Sequence, residues 1–155
     1  MRHLCKLLLI LILSASFQAH ALTCTVSTLP VTFSTYDPQS NTPSDISGTV
    51  TVTCTELVSV LVSYSVKLNA GLTGSMSSRL MTSGSSQLAY QLYTNSGRTT
   101  VWGDGTAGSS IVNDGYLLNV LTPVVHNYSV YGRISARQNV MAGNYLDTVT
   151  VLLTY

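Results

Sequence analysis

Chemistry at a protein site needs bases, acids, nucleophiles or metal ligands brought together, and this chain offers few of them. Its histidines are His3, His20 and His126. The first two fall in an N-terminal stretch that reads as an export signal, which leaves His126 as the one imidazole of the processed chain. Nucleophilic catalysis needs a base beside the nucleophile. His126 sits in "TPVVHNYSVY", near a strand start, and nothing in the sequence pairs it with a particular serine and carboxylate. A surface or strand-edge histidine is the expectation. The acids Asp37, Asp45, Glu56, Asp104, Asp114 and Asp147 are scattered and form no recognisable pair for glycoside chemistry.

Three further patterns invite a site and fall short. "WGDGTAG" at 102–108 is glycine-rich, but a phosphate-binding loop needs a following Lys-Ser/Thr at a helix mouth. Calcium wants several oxygen ligands, and Asp104 and Asp114 are too few; a turn with a packed Trp102 is expected instead. Asn127-Tyr-Ser129 matches a glycosylation acceptor, a weak signal in a bacterial-type secreted chain. Cys24 and Cys54, with a single histidine, make a poor zinc set. No catalytic residue, metal site or cofactor is expected, and the chain reads as a non-enzyme.

Behind these residues lie the elements that must carry them. Arg2 and Lys6, the apolar run 7–13 and Ala19-His20-Ala21 form a positive, apolar, small-x-small series, the pattern of a cleaved signal peptide over 1–21. The apolar run is about half of the roughly 20 residues that a membrane span needs. Cleavage removes Cys5 and leaves Cys24 and Cys54, expected to form one disulfide in an exported chain. Closing that loop of about 30 residues would contribute roughly 3–4 kcal/mol. After cleavage five basic side chains face six acidic ones, scattered along the chain. That balance gives no footprint for nucleic acid and no basic patch for an anionic membrane.

Period-two alternation dominates what remains. Val50, Val52 and Cys54 share a face, as do Val60, Val62, Tyr64, Val66 and Leu68; then Leu88, Tyr90 and Leu92; then Tyr128, Val130 and Ile134; and finally Val149, Val151, Leu153 and Tyr155. Gly, Asn, Asp and Pro clusters punctuate the runs. No helix of useful length is predicted. The expected fold is an all-β, immunoglobulin-like β-sandwich over residues 22–155. Met76, Leu80 and Met81 lie in a loop-like stretch and could pack inward or contact an apolar surface; the sequence leaves both open.

The order of several stretches carries a resemblance: Cys24-Thr-Val26, "VTFSTYDP" (31–38), "GTVTVTCT" (48–55), "YSVKLNAG" (64–71), "SRLM" (78–81), "LAYQLYTN" (88–95), "VWGDGT" (101–106) and "VYGRISARQNVMAGNYLDTVTVLLTY" (130–155). With these the chain resembles the spore coat protein U domain family, which includes the Csu-type pilins of the archaic chaperone–usher pathway. The resemblance implies an incomplete sandwich lacking its last strand, with a hydrophobic groove left open. A periplasmic chaperone would lend a strand to fill it. At the outer-membrane usher a neighbouring pilin subunit would replace that strand with its own, building a fimbria. Carried over to this chain, Val149, Val151, Leu153 and Tyr155 would line the groove, with Val26 near the opposite border. Burying such side chains is worth roughly 1.5–3 kcal/mol each.

A polymerising subunit carries a donor strand of about ten residues ahead of its first cysteine. Cleavage after Ala21 would leave only Leu22 and Thr23. The expectation is a subunit that accepts a strand but cannot give one, hence a terminal and adhesive subunit supporting surface attachment and biofilm formation. The competing reading is a secreted coat protein of the spore or cell surface that forms no fibre; a secreted hydrolase would need a catalytic set that the sequence does not offer.

Overall fold

The computed structural model of the chain describes residues 22–55, 60–118 and 122–155. The signal-like segment 1–21 lies outside these residues. Among the described residues nine strands, all antiparallel, build two sheets, and no helix occurs. They are β1 (Thr23–Leu29), β2 (Ser44–Thr55), β3 (Val60–Leu68), β4 (Thr73–Ser75), β5 (Ser78–Ser83), β6 (Ser86–Tyr93), β7 (Val112–Leu118), β8 (Val124–Ile134) and β9 (Val151–Thr154). One sheet runs β1-β2-β8-β6-β5-β4 and the other β7-β3-β9.

The alternation that predicted the strands also builds the core. Val50, Val52 and Cys54 of β2 are buried, as are Val62, Tyr64, Val66 and Leu68 of β3, Leu88, Tyr90 and Leu92 of β6, and Val130 and Ile134 of β8. Threonines on the other face of β2 meet solvent or each other across strands; Thr51 Oγ1 donates to Asn127 Oδ1 at 2.7 Å. β-Branched residues suit both faces of such a half-buried strand. Cys24 and Cys54 sit directly opposite in the β1–β2 register and are bonded, S–S 2.04 Å, so the expected disulfide ties the edge strand to its neighbour. Met76 and Met81 pack inward, while Leu80, on the other face of β5, is only half-buried.

The glycine-rich stretch after β6 folds back as a plug between the sheets. Trp102 is fully buried; its backbone N donates to Leu92 O at 2.9 Å and its Nε1 to Val66 O at 3.1 Å. A buried indole N–H requires such a partner. This matches the packed tryptophan read from "WGDGTAG".

β9 is shorter than the alternation predicted. Its ladder to β3 runs only from Leu68↔Val151 to Ser65↔Thr154. Residues 147–150 ahead of it are held to the fold mainly by side chains.

A candidate strand-accepting groove

Between residues 28–36 and residues 140–149 the sandwich does not close. A cavity of about 1080 Å³ opens there. Its floor is apolar: Val50, Leu68, Leu88, Leu92, Val130 and Ile134 come from both sheets. One border is residues 28–36, the other residues 140–149 together with Val151.

The C-terminal border follows from strand geometry. Val149, Val151 and Leu153 are half-buried against the core, while Thr148, Thr150, Leu152 and Thr154 face out. The backbone alternates in the sheet plane as the side chains alternate across it. Thr150 turns both its N–H and its C=O toward Asn69 on the β3 side, at 2.8 and 3.1 Å. The N–H and C=O of Val149, Val151 and Leu153 therefore point the other way, into the gap.

Residues 31–36 form the facing border. They leave β1 at Pro30, which lacks an N–H and cannot continue a ladder on that side. Among the described residues they make no backbone-to-backbone hydrogen bond. They are held by side chains instead. Val31 and Phe33 pack on the core, and Phe33 meets the Tyr90 ring edge-on at 6.2 Å. The Tyr36 hydroxyl donates to Ser135 O at 2.9 Å and accepts from Gln138 N at 2.8 Å. Gly132 in the middle of β8 makes this seat possible: a Cβ there would lie 2.6 Å from Val31 Cγ1 and 2.9 Å from Phe33 Cζ. Glycine inside a strand often marks such a close approach.

The gap thus has an apolar floor and two backbone edges without partners among the described residues. Unpaired edges with matching inward side chains are the condition for pairing with another strand. The one carboxylate on its rim, Asp147, is already committed. Its Oδ1 accepts Leu72 N and Thr148 N, both at 2.8 Å, and its Oδ2 accepts the Tyr90 hydroxyl at 2.6 Å. Burial first, then this bond, pushes the Tyr90 phenol far above its ordinary range, so it stays protonated.

Of the groove residues expected from sequence, Val149 and Val151 line the cavity and Leu153 packs beside it. Tyr155 is 54% exposed at the end of β9. Val26 stands opposite Val52 in β1, 37% exposed, and the lining on that side comes from residues 28–36 instead. Val31, Phe33 and Tyr36 were the residues that sequence reasoning missed. Their signal was the in–out spacing of "VTF" within the stretch that carries the family resemblance.

The polar cluster sits elsewhere, between β7 and β8. Asp114 Oδ2 accepts the Tyr128 hydroxyl at 2.6 Å and His126 Nδ1 at 2.8 Å. Since Tyr128 gives its proton to Asp114, Tyr64, whose hydroxyl touches that of Tyr128, must donate to it. The chain of bonds runs Tyr64 to Tyr128 to Asp114 and contains no serine, threonine or cysteine. It fastens one sheet to the other. The Tyr128 bond and then the His126 bond hold the Asp114 carboxyl below its ordinary value. Asp114 is the carboxylate partner that the sequence alone did not give His126.

A model of the Spore Coat Protein U domain matches residues 11–152. Protein U of Myxococcus xanthus is 34% identical over 132 residues, covering 79% of this chain and 70% of that protein. Among solved structures, the crystal structure of the CsuC-CsuE chaperone-tip adhesion subunit pre-assembly complex, from archaic chaperone-usher Csu pili of Acinetobacter baumannii, holds a similar chain. The TM-score is 0.60 at 24% identity, over 87% of this chain. This chain spans only 40% of the length of that one, and the likeness is one of fold: an immunoglobulin-like, pilin-type sandwich.

Proposed function

This chain belongs to the Spore Coat Protein U domain family, and from that membership we propose that it is a structural subunit of a chaperone–usher fimbria, completed by a strand from another chain. One observation carries the reading: an apolar groove flanked by two backbone edges that find no partner among the described residues, with Val149, Val151 and Leu153 turned toward it. A donated strand would pair with both edges and cover the apolar lining. The donors would be a periplasmic chaperone first and a neighbouring subunit afterwards, exchanged at an outer-membrane usher. The chain would reach the cell surface through the periplasm after losing residues 1–21.

The finer step concerns position. Cleavage after Ala21 would leave Leu22 and Thr23 ahead of Cys24, too little for a donor strand of about ten residues. A subunit that only accepts sits at the fimbrial tip, where adhesion and biofilm formation begin. The second reading is a secreted coat protein that forms no fibre; the family's name and the 34% identity to Protein U favour it. Chaperone and usher genes beside this one would favour the fimbria.

The test is co-expression with the cognate chaperone. Val151→Asp places a charge in the groove and is expected to abolish co-purification while export persists. Leu152→Asp, on the neighbouring residue that is 57% exposed, is expected to leave it unchanged. Equal recovery of the two variants would sink the groove reading. N-terminal sequencing of the same complex tests the tip assignment, which a start well upstream of Leu22 would overturn.

A further inference from the structure

Asn69 ends β3 in an arrangement that the ladder alone does not explain. In register, residue 69 stands opposite residue 150, and the two should exchange both N–H···O=C bonds. One is present: Asn69 N donates to Thr150 O at 3.1 Å. The other is diverted. Thr150 N donates at 2.8 Å to the Asn69 side chain, Oδ1, rather than to its carbonyl. The carbonyl is occupied, because Asn69 O accepts Arg79 Nε at 3.1 Å and Arg79 Nη2 at 2.8 Å.

Arg79 is fully buried and, among the described residues, has no carboxylate in hydrogen-bond contact. Carbonyl-type oxygens take its charge: Asn69 O, Trp102 O at 2.8 Å and Gln91 Oε1. A buried cation must be satisfied in this way or it is very costly. Asn69 therefore serves two masters, giving its backbone oxygen to Arg79 and its side-chain oxygen to the groove border. The same Oδ1 accepts Gly71 N at 3.1 Å and shapes the turn that follows. Gly71 has φ +88°, and a Cβ there would lie 2.0 Å from Asp147 Oδ2, so this turn is built to admit the Asp147 carboxylate. Asp147 in turn grips Leu72 N.

We propose that Asn69, braced by Arg79, is a positioning residue for strand uptake, holding border residues 147–150 in strand geometry before a donor arrives. The proposal rests on the groove reading above. Residues 147–150 lie upstream of the β3–β9 ladder; among the described residues their one backbone-to-backbone bond is that to Thr150 O, and the Asn69 and Asp147 side chains and the packing of Val149 supply the rest of their hold. A donor strand needs that edge already extended; an edge that had to order at the moment of pairing would lose backbone entropy in the same step.

Amide hydrogen exchange on the oxidised full-length chain tests this, because exchange reports local opening residue by residue. In the wild type the Thr150 amide is expected to exchange at least about tenfold more slowly than that of Val149, which faces the gap. Asn69→Ala should raise the Thr150 rate about tenfold while Val52 and Tyr128 amides in the β2–β8 ladder keep theirs. Asn69→Asp keeps the accepting oxygen and should retain wild-type protection. An unchanged Thr150 rate in Asn69→Ala, an equal loss in Asn69→Asp, or a uniform rise across β2 and β8 would each overturn the proposal. The measurement needs no partner chain, so it can fail or succeed independently of the Val151→Asp and Leu152→Asp comparison.

Discussion

Asp114 has little burial but three strong donors: the Tyr128 hydroxyl, His126 Nδ1 and, at its other oxygen, Gly115 N at 2.7 Å. These favour the ionised form, so its folded pKa lies below the ordinary 3.8. A depressed carboxylate pKa contributes stability that is fully present above the unfolded value and is lost as pH falls through the folded one. Asp45, lowered chiefly by its bond from Arg133, adds to the same acid limb. Asp114→Asn is therefore expected to flatten the fall of Tm between about pH 5 and pH 2 relative to wild type. A parallel fall in both proteins would show that the cluster contributes nothing to acid sensitivity. Both carboxylates are about one-third exposed, so solvent screens each contribution. His126 and Asp114 are twelve residues apart in sequence and sit on different sheets. Nothing in the sequence could join them, because the juxtaposition exists only once β7 lies over β8.

At the scale of elements, the strands that were legible are those whose pattern and ladder coincide. β2, β3 and β8 alternate cleanly because one face is buried and the other is wet, while β6 breaks the pattern at Gln91, which is buried on the outer face against Arg79. The groove borders were only half legible, for a physical reason. The alternation from Val149 to Leu153 announces a strand, yet the ladder begins at Val151, since Asn69 and Asp147 side chains replace ladder bonds upstream. Residues 31–36 have in–out spacing at Val31 and Phe33 and then lose it at Thr35, where Tyr36 turns in to reach Ser135 and Gln138. A short segment without ladder bonds leaves too weak a period to read. Its seat in the structure is specific nonetheless. Gly132→Ala would drive a methyl into Val31 and Phe33, and overpacking of this kind typically costs about 1–3 kcal/mol. The expected result is a lower denaturant midpoint at an unchanged slope; an unchanged midpoint would mean that residues 31–36 do not occupy this trough.

For the whole molecule, the two sheets are unequal, and the inequality locates the open side. Among the described residues six strands face three, Trp102 and its loop fill one flank, and the flank between residues 28–36 and 140–149 is left with an apolar floor and unpaired backbone. On the function proposed for this chain, its sandwich is completed by another chain's strand lying between residues 31–36 and β9. The most direct measurement is amide exchange at Val149, Val151 and Leu153, taken on the chain alone and on its complex with the cognate chaperone. Fast exchange is expected in the isolated chain and strong protection in the complex, confined to these alternate residues and the facing segment 31–36. Protection already present in the isolated chain, or exchange that stays equally fast in the complex, would contradict it.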